Sequence, residues 1–207
     1  MVQWLSVLFF LSCLASPAFG EPGQGTLEKI KSAKVITLGY REASLPFSYV
    51  GDDKNPVGYA VDLCMRVAAG IQQQLALHNL PIKWVPVTPE NRMAMVANGT
   101  IDLECGTTTN TLSRQEEVDF SHLTFVDGGS LLVRTASNIT SLSDIAGKRV
   151  AVIPGTTTEK VVAEALQKVN VEVELIHVRE HSDGLARLRA GPLTLTLRIG
   201  WSSLSWR

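Results

Sequence analysis

The stretch from Asn98 to Arg114, NGTIDLECGTTTNTLSR, constrains this chain more than any other. Gly99 suits the position just past a helix end, where glycine takes a positive φ without steric cost. Ile101 and Leu103 then alternate with Asp102 and Glu104, the period of a short strand with one side buried. Gly106 is followed by Thr107, Thr108, Thr109, Asn110 and Thr111. Short hydroxyl and amide side chains in a row make poor core and good loop, because they bond to nearby backbone or to a ligand. Ser113, Arg114, Gln115 and Glu116 then open a helix. A strand end, a polar loop and a helix start form a crevice suited to an anion. Taken alone, a threonine run more often marks an ordinary strand–turn–helix connection.

The rest of the chain supplies the sheet such a loop needs. The spacing predicts a short helix over 26–32, a strand over 34–40 and a turn over 51–56. A helix over 61–77 follows, with Leu63, Val67, Ile71 and Leu75 on its buried face. Arg41 falls at the C-terminal end of the first strand, where open α/β sheets bind ligands. A second strand is expected over 82–87. Thr88 reads as the cap of the next helix with Pro89 at its first position. That places Arg92 in the first turn and Met93, Val96 and Ala97 toward the core. Strands are expected over 118–121 and 125–133, with Gly128 and Gly129 allowing the second to bend between two lobes. The pattern then recurs: a turn at 143–147, a strand over 149–153, the loop Pro154-Gly155-Thr156-Thr157-Thr158, a helix over 159–168, a strand over 171–176 and a helix over 182–190. Two α/β lobes with facing hydroxyl-rich loops enclose a cleft.

At 207 residues the chain has room for one large or two small domains, given roughly 100–200 residues for each. A net charge of −1 without a clustered basic face excludes nucleic acid as a partner. Val2 to Phe19 carry no charge, and Ala18-Phe19-Gly20 supply the small residues of a cleavage site, so 1–20 reads as a signal peptide. Its apolar run falls short of the roughly 20 residues a membrane span needs. One feature is off-pattern, since no Lys or Arg precedes the apolar block. Export leaves Cys64 and Cys105 as a pair in a compartment that permits a disulfide. Bridge and two buried thiols both fit the sequence, and geometry decides. No Cys/His spacing matches a zinc site, and neither metal nor cofactor is expected.

The segments GYREASLPFSY, VGYAVDLC, TPENR, NGTIDLECGTTTNTLSRQ, DFS, LSDIAGKRVAV and PGTTTE together resemble the periplasmic solute-binding proteins of polar amino-acid ABC importers, in the glutamate/aspartate-binding branch. The resemblance covers residues 26–191 in order and spacing. It implies an α/β, two-lobed periplasmic-binding-protein fold of type II, with lobe one over 21–131 and part of lobe two over 132–191. It implies no catalysis: two lobes close on one small-molecule amino acid and hand it to the ABC importer permease of the inner membrane, the chain itself being monomeric. It also implies a ligand set. Arg114 would grip the α-carboxylate, as a bidentate guanidinium does better than lysine. Thr109 would add its N–H and hydroxyl, and Thr107 would accept from the ammonium. Arg41 and Arg92 would hold the side-chain carboxylate, His181 would reach across from lobe two, and Thr156 and Thr157 would line that lobe's wall.

Two departures from the family stand out. Pro89 occupies a position where related proteins can carry a ligand-contacting serine. After Ala190-Gly191 the family continues with a strand bearing an aspartate for the ammonium, the rest of lobe two and a return to lobe one. Residues 192–207, PLTLTLRIGWSSLSWR, depart from this, and the genetic code allows a neighbouring frame to read VDAYASDR. The expectation is an aberrant, frameshifted tail that leaves lobe two and the C-terminal return incomplete, although 193–197 alternates as a strand. Two other classes share the fold: an exported cyclohexadienyl-type dehydratase, with Glu104 and His181 as candidate acids, and a sensing module of a larger receptor.

Overall fold

The computed structural model describes residues 25–191 and the backbone of a strand at 195–199. The expected signal peptide and most of the 192–207 tail lie outside these residues. Helix α1 (Thr26–Ala33) leads into β1 (Ile36–Tyr40), on which Ile36 and Leu38 are fully buried. A small antiparallel sheet follows, made of β2 (Ala43–Ser44), β3 (Ser48–Val50) and β4 (Pro56–Val57). Then come α2 (Tyr59–Gln74), β5 (Ile82–Pro86), α3 (Arg92–Ala97), β6 (Leu103–Cys105) and α4 (Leu112–Gln115). The second half contains β7 (Gly129–Val133), a 3₁₀ turn at Leu142–Ile145, β8 (Arg149–Val152), α5 (Thr157–Lys168), β9 (Glu174–His177), α6 (His181–Ala190) and β10 (Leu195–Ile199).

The first sheet has the order β5-β1-β6 and is parallel throughout, with Ile36 opposite Ile82 and Leu38 opposite both Trp84 and Leu103. Its core joins Ile30, Ile36, Leu38, Cys64, Ala68 and Cys105. Cys64 and Cys105 form a disulfide with their Cα atoms 6.0 Å apart, tying α2 to the end of β6. Closing a loop of this length, 41 residues in sequence separation, is worth about 4 kcal/mol in the chain-entropy account. Asp102 is held from two sides: Lys29 Nζ lies 2.7 Å from one carboxylate oxygen, and the Thr37 N–H donates to the other at 2.7 Å. This carboxylate joins α1, β1 and β6, so the polar face expected at 101–104 is turned inward onto charged partners. Gly99 has φ +72° and follows α3 as expected.

The second sheet has the order β7-β10-β8-β9, with β10 antiparallel to β7 and parallel to β8. Ile145, Val150, Val152, Val162 and Leu166 form its core, with Leu131 and Val133 packed against them. Since β7 joins this sheet from Gly129 onward, the second lobe takes up the chain earlier than residue 132.

Several local expectations need correction. Residues 118–121 form no strand. This segment is instead followed by Phe125, which sits edge-on to Phe47 at 4.9 Å, while Tyr59 Oη donates to the Thr124 carbonyl at 2.7 Å. Aromatic packing, rather than a ladder, fixes it. On α2 the buried residues are Val61, Cys64 and Ala68, with Ile71 and Leu75 packed against the same core as expected, Leu63 half-buried and Val67 exposed. Helix α3 starts at Arg92, not at Pro89. Thr88 nonetheless caps the turn that leads into it, as expected: its Oγ1 accepts from the Asn91 N–H at 3.3 Å, its carbonyl from the Arg92 N–H at 3.1 Å, and its own N–H donates to Asn91 Oδ1 at 2.8 Å.

Candidate functional site

The three parallel strands of the first sheet end at Tyr40, Pro86 and Cys105, and each is followed by a segment bearing an arginine. Arg41 comes directly after β1. Arg92 opens α3 after β5, and Arg114 lies in α4 beyond the threonine loop. From the second sheet, the end of β8 leads through Ile153 to Gly155, Thr156 and Thr157. The end of β9 leads to Glu180 and His181. A narrow cleft, partly open to solvent, lies between the two sets and is lined by Arg41, Pro89, Arg92, Thr107, Thr109, Ile153, Thr156, Thr157, Thr158 and His181. The structure therefore brings seven of the eight expected ligand residues onto one wall or the other.

Arg92 sets the chemistry. It is the buried residue of α3, at 3% exposure, where the pattern had Met93, Val96 and Ala97 facing inward. Its Nη1 lies 3.8 Å from Glu104 Oε1, a separation too long for a hydrogen bond. Nε and Nη1 have no partner, and neither does Glu104 Oε1. Burial pushes the guanidinium down to about 10, with Glu104 opposing that shift and Arg41 and Arg114 adding to it. At neutral pH Arg92 remains a cation whose buried donors are unsatisfied, an unfavourable state that a bound anion relieves. Gly106 makes the approach possible, because any side chain there would collide with the Glu104 carboxylate and crowd Arg41.

Arg41 is equally buried, at 3% exposure. Its Nη2 donates to both carboxylate oxygens of Glu180, at 2.7 and 2.8 Å, while its Nε has no partner. Arg114 donates to the Thr109 carbonyl at 2.9 Å and across the cleft to the Gly155 carbonyl at 3.2 Å, so it bridges the two walls rather than lining the open space between them. Desolvation lowers its pKa, with Glu104 and Glu117 acting in the opposite direction. Thr109 Oγ1 and Thr157 Oγ1 share a hydrogen bond of 3.0 Å, a second link between the lobes. Thr156 caps α5 by accepting from the Glu159 N–H at 3.2 Å and donating to the Ile153 carbonyl, so its hydroxyl is engaged in shaping the loop. Thr108 Oγ1 is buried and lacks a partner. Among the described residues no cluster of His, Cys, Asp and Glu could hold a metal ion.

Sequence reasoning missed Glu180 and Thr158 and gave Glu104 no role beside Arg92. Glu180 reads as an ordinary acid at a helix start, and its partner is 139 residues away. Glu104 carried a usable signal, as an acid on a strand facing an arginine from the preceding helix.

A two-lobed α/β fold with buried cations on one wall and hydroxyls on the other suits the capture of a small anionic solute between the lobes. The chain belongs to the bacterial extracellular solute-binding proteins, family 3, which it matches over residues 36–191. It is 37% identical to the L-glutamate/L-aspartate-binding protein of Pseudomonas aeruginosa, over 90% of this chain and 62% of that protein. It is 36% identical to the glutamate/aspartate import solute-binding protein of Salmonella typhimurium, over 86% and 59%. The chain thus spans about three-fifths of the length of these relatives. In fold it is similar to an ancestral amino acid-binding protein described as a precursor of cyclohexadienyl dehydratase, with TM-score 0.73, 23% identity, and coverage of 84% and 74%. It is likewise similar to the arginine-bound form of truncated ArgBP from T. maritima, with TM-score 0.72, 25% identity, and coverage of 84% and 77%. The named sequence relatives are binding proteins. No described helix is long and apolar enough to cross a membrane.

Proposed function

We propose that this chain binds an acidic amino acid, glutamate or aspartate, outside the cytoplasm and delivers it to an ABC permease of the inner membrane. The observation that carries the reading is Arg92, a buried cation with two orphaned donor nitrogens in a cleft it shares with Arg41. A ligand side-chain carboxylate satisfies those donors, which water and hydroxyls do less well. In this reading Thr107 accepts from the ligand ammonium, and Thr109 and Arg114 serve the α-carboxylate once the Thr109–Thr157 and Arg114–Gly155 contacts adjust. Thr157 and His181 complete the wall from the second lobe. The names of the curated relatives support the acidic ligand. Residues 1–20 act as an export signal, and the lobes work as a monomer without metal or cofactor.

Calorimetric titration of the purified protein with L-glutamate, L-aspartate and L-glutamine tests this. Micromolar or tighter uptake of an acid is expected, with loss in Arg92→Met. Equal affinity for all three, unaffected by that substitution, would overturn it.

A further inference from the structure

We propose that Glu180 is the resident counter-ion of Arg41, a carboxylate that the chain keeps in its own cleft and that an acidic ligand must displace. The inference rests on the acidic-ligand reading above. Glu180 stands at the N-terminal cap of α6, yet its side chain makes no capping bond to that helix. It reaches instead across the cleft and accepts from Arg41 with both oxygens, at 2.7 and 2.8 Å. Arg41 is 3% exposed and the Glu180 side chain 22% exposed, so the pair sits where a cation without an anion is costly. Glu104, the other acid near these arginines, is placed against Arg92. Each buried arginine therefore has one acid of its own, but only the acid of Arg41 comes from the opposite lobe.

That asymmetry makes Glu180 a determinant of selectivity. A ligand with a distal carboxylate replaces Glu180 on Arg41 and releases it toward solvent. A ligand with a neutral amide leaves Glu180 in place, and Arg41 stays compensated. The native cleft is therefore more tolerant of an amide than two bare arginines would be. Removing the charge of Glu180 favours the acid and penalises the amide. A role as a mere strut between lobes would instead move both affinities in the same direction.

The test compares the unsubstituted protein with Glu180→Gln and Glu180→Asp by titration with L-glutamate and L-glutamine, and by small-angle X-ray scattering without ligand. Glu180→Gln is expected to raise the glutamate-to-glutamine affinity ratio about tenfold, the scale of one charge-assisted hydrogen bond. Glu180→Asp keeps the charge on a shorter arm and is expected to return the ratio most of the way. The ligand-free Glu180→Gln protein is expected to have a larger radius of gyration, since a link between the lobes is lost. A parallel change in both affinities overturns the counter-ion role, and an unchanged radius overturns the contact across the cleft. If the unsubstituted protein takes up none of the amino acids, the acidic-ligand reading fails, while the scattering comparison still decides the contact.

Discussion

The two sheets approach the cleft with opposite chemistry. The first presents three arginines from three successive strand ends, two of them buried with unsatisfied nitrogens. The second presents the carboxylate of Glu180, which accepts from Arg41, the Gly155 carbonyl, which accepts from Arg114, and the Thr157 hydroxyl, which meets Thr109. The first wall is also the more rigidly built, with a disulfide and the Lys29–Asp102–Thr37 network beneath it. The second is fixed by lighter means: the Thr156 cap of α5, and Glu159, which accepts from the Gly155 N–H at 3.2 Å and meets His177 Nε2 at 3.0 Å. The difference teaches a division of chemistry, in which the cations lie on the cross-linked wall and their carboxylate and carbonyl acceptors come from the other.

The largest expected effect is on the stiff wall. Replacing both cysteines, Cys64→Ser with Cys105→Ser, should lower unfolding free energy by about 4 kcal/mol in urea titration. Amide exchange should accelerate across β1, β5 and β6 and change little in β8 and β9. Equal acceleration in both sheets would erase the distinction. Next, Arg92→Met should weaken binding of an acidic amino acid about hundredfold, on the scale of a lost buried charge-assisted pair. Thr157→Ala, on the opposite wall, removes a neutral hydroxyl that completes the ligand's surroundings and should cost about fivefold, or ~1 kcal/mol, by the same titration.

The smallest effect sharpens the comparison through pH. Asp144 accepts from the Thr140 and Ser141 N–H groups and from both hydroxyls at the 3₁₀ turn before β8, which holds its pKa at about 2 rather than the ordinary 3.8. A carboxylate with a depressed folded pKa adds stability above its unfolded value and loses it as pH falls through the folded one. The melting temperature of Asp144→Asn should therefore lie below that of the unsubstituted protein at pH 5. The gap should narrow between pH 4 and 2, in a scan of thermal unfolding against pH. A gap that persists at pH 2 would mean the cap acts through shape and not through charge.

Much of this architecture was legible in the sequence because parallel strands buried on both faces leave plain apolar runs, as at Ile36–Tyr40 and Arg149–Val152. The arginines were legible because strand ends in such sheets gather ligand residues. What failed did so where a long-range contact outweighed the local pattern. On α2 Val61, Cys64 and Ala68 are buried where Val67 was expected, and ring packing on Phe125 stands in place of a strand near 118–121. Arg92 at the buried position of α3 defeats any apolar pattern, and its partner Glu104 was visible only as a strand residue of the wrong polarity. Glu180 lay out of reach of any local rule, since nothing near it in sequence hints at Arg41.

The strand orders also impose a sequence in time. Every strand of the first parallel sheet, and both halves of its disulfide, lie between Ile36 and Cys105. A chain made from its N-terminus can finish that wall while the remainder is still unbuilt. The second sheet has no such freedom, because β10 at 195–199 lies between β7 and β8 and bonds to both. Until it arrives, β7 and β8 each carry an unpaired edge, the kind of surface on which strands of other chains assemble. The wall that holds the charge is thus the early product of synthesis, and the wall that closes on it stays open to misassembly longest.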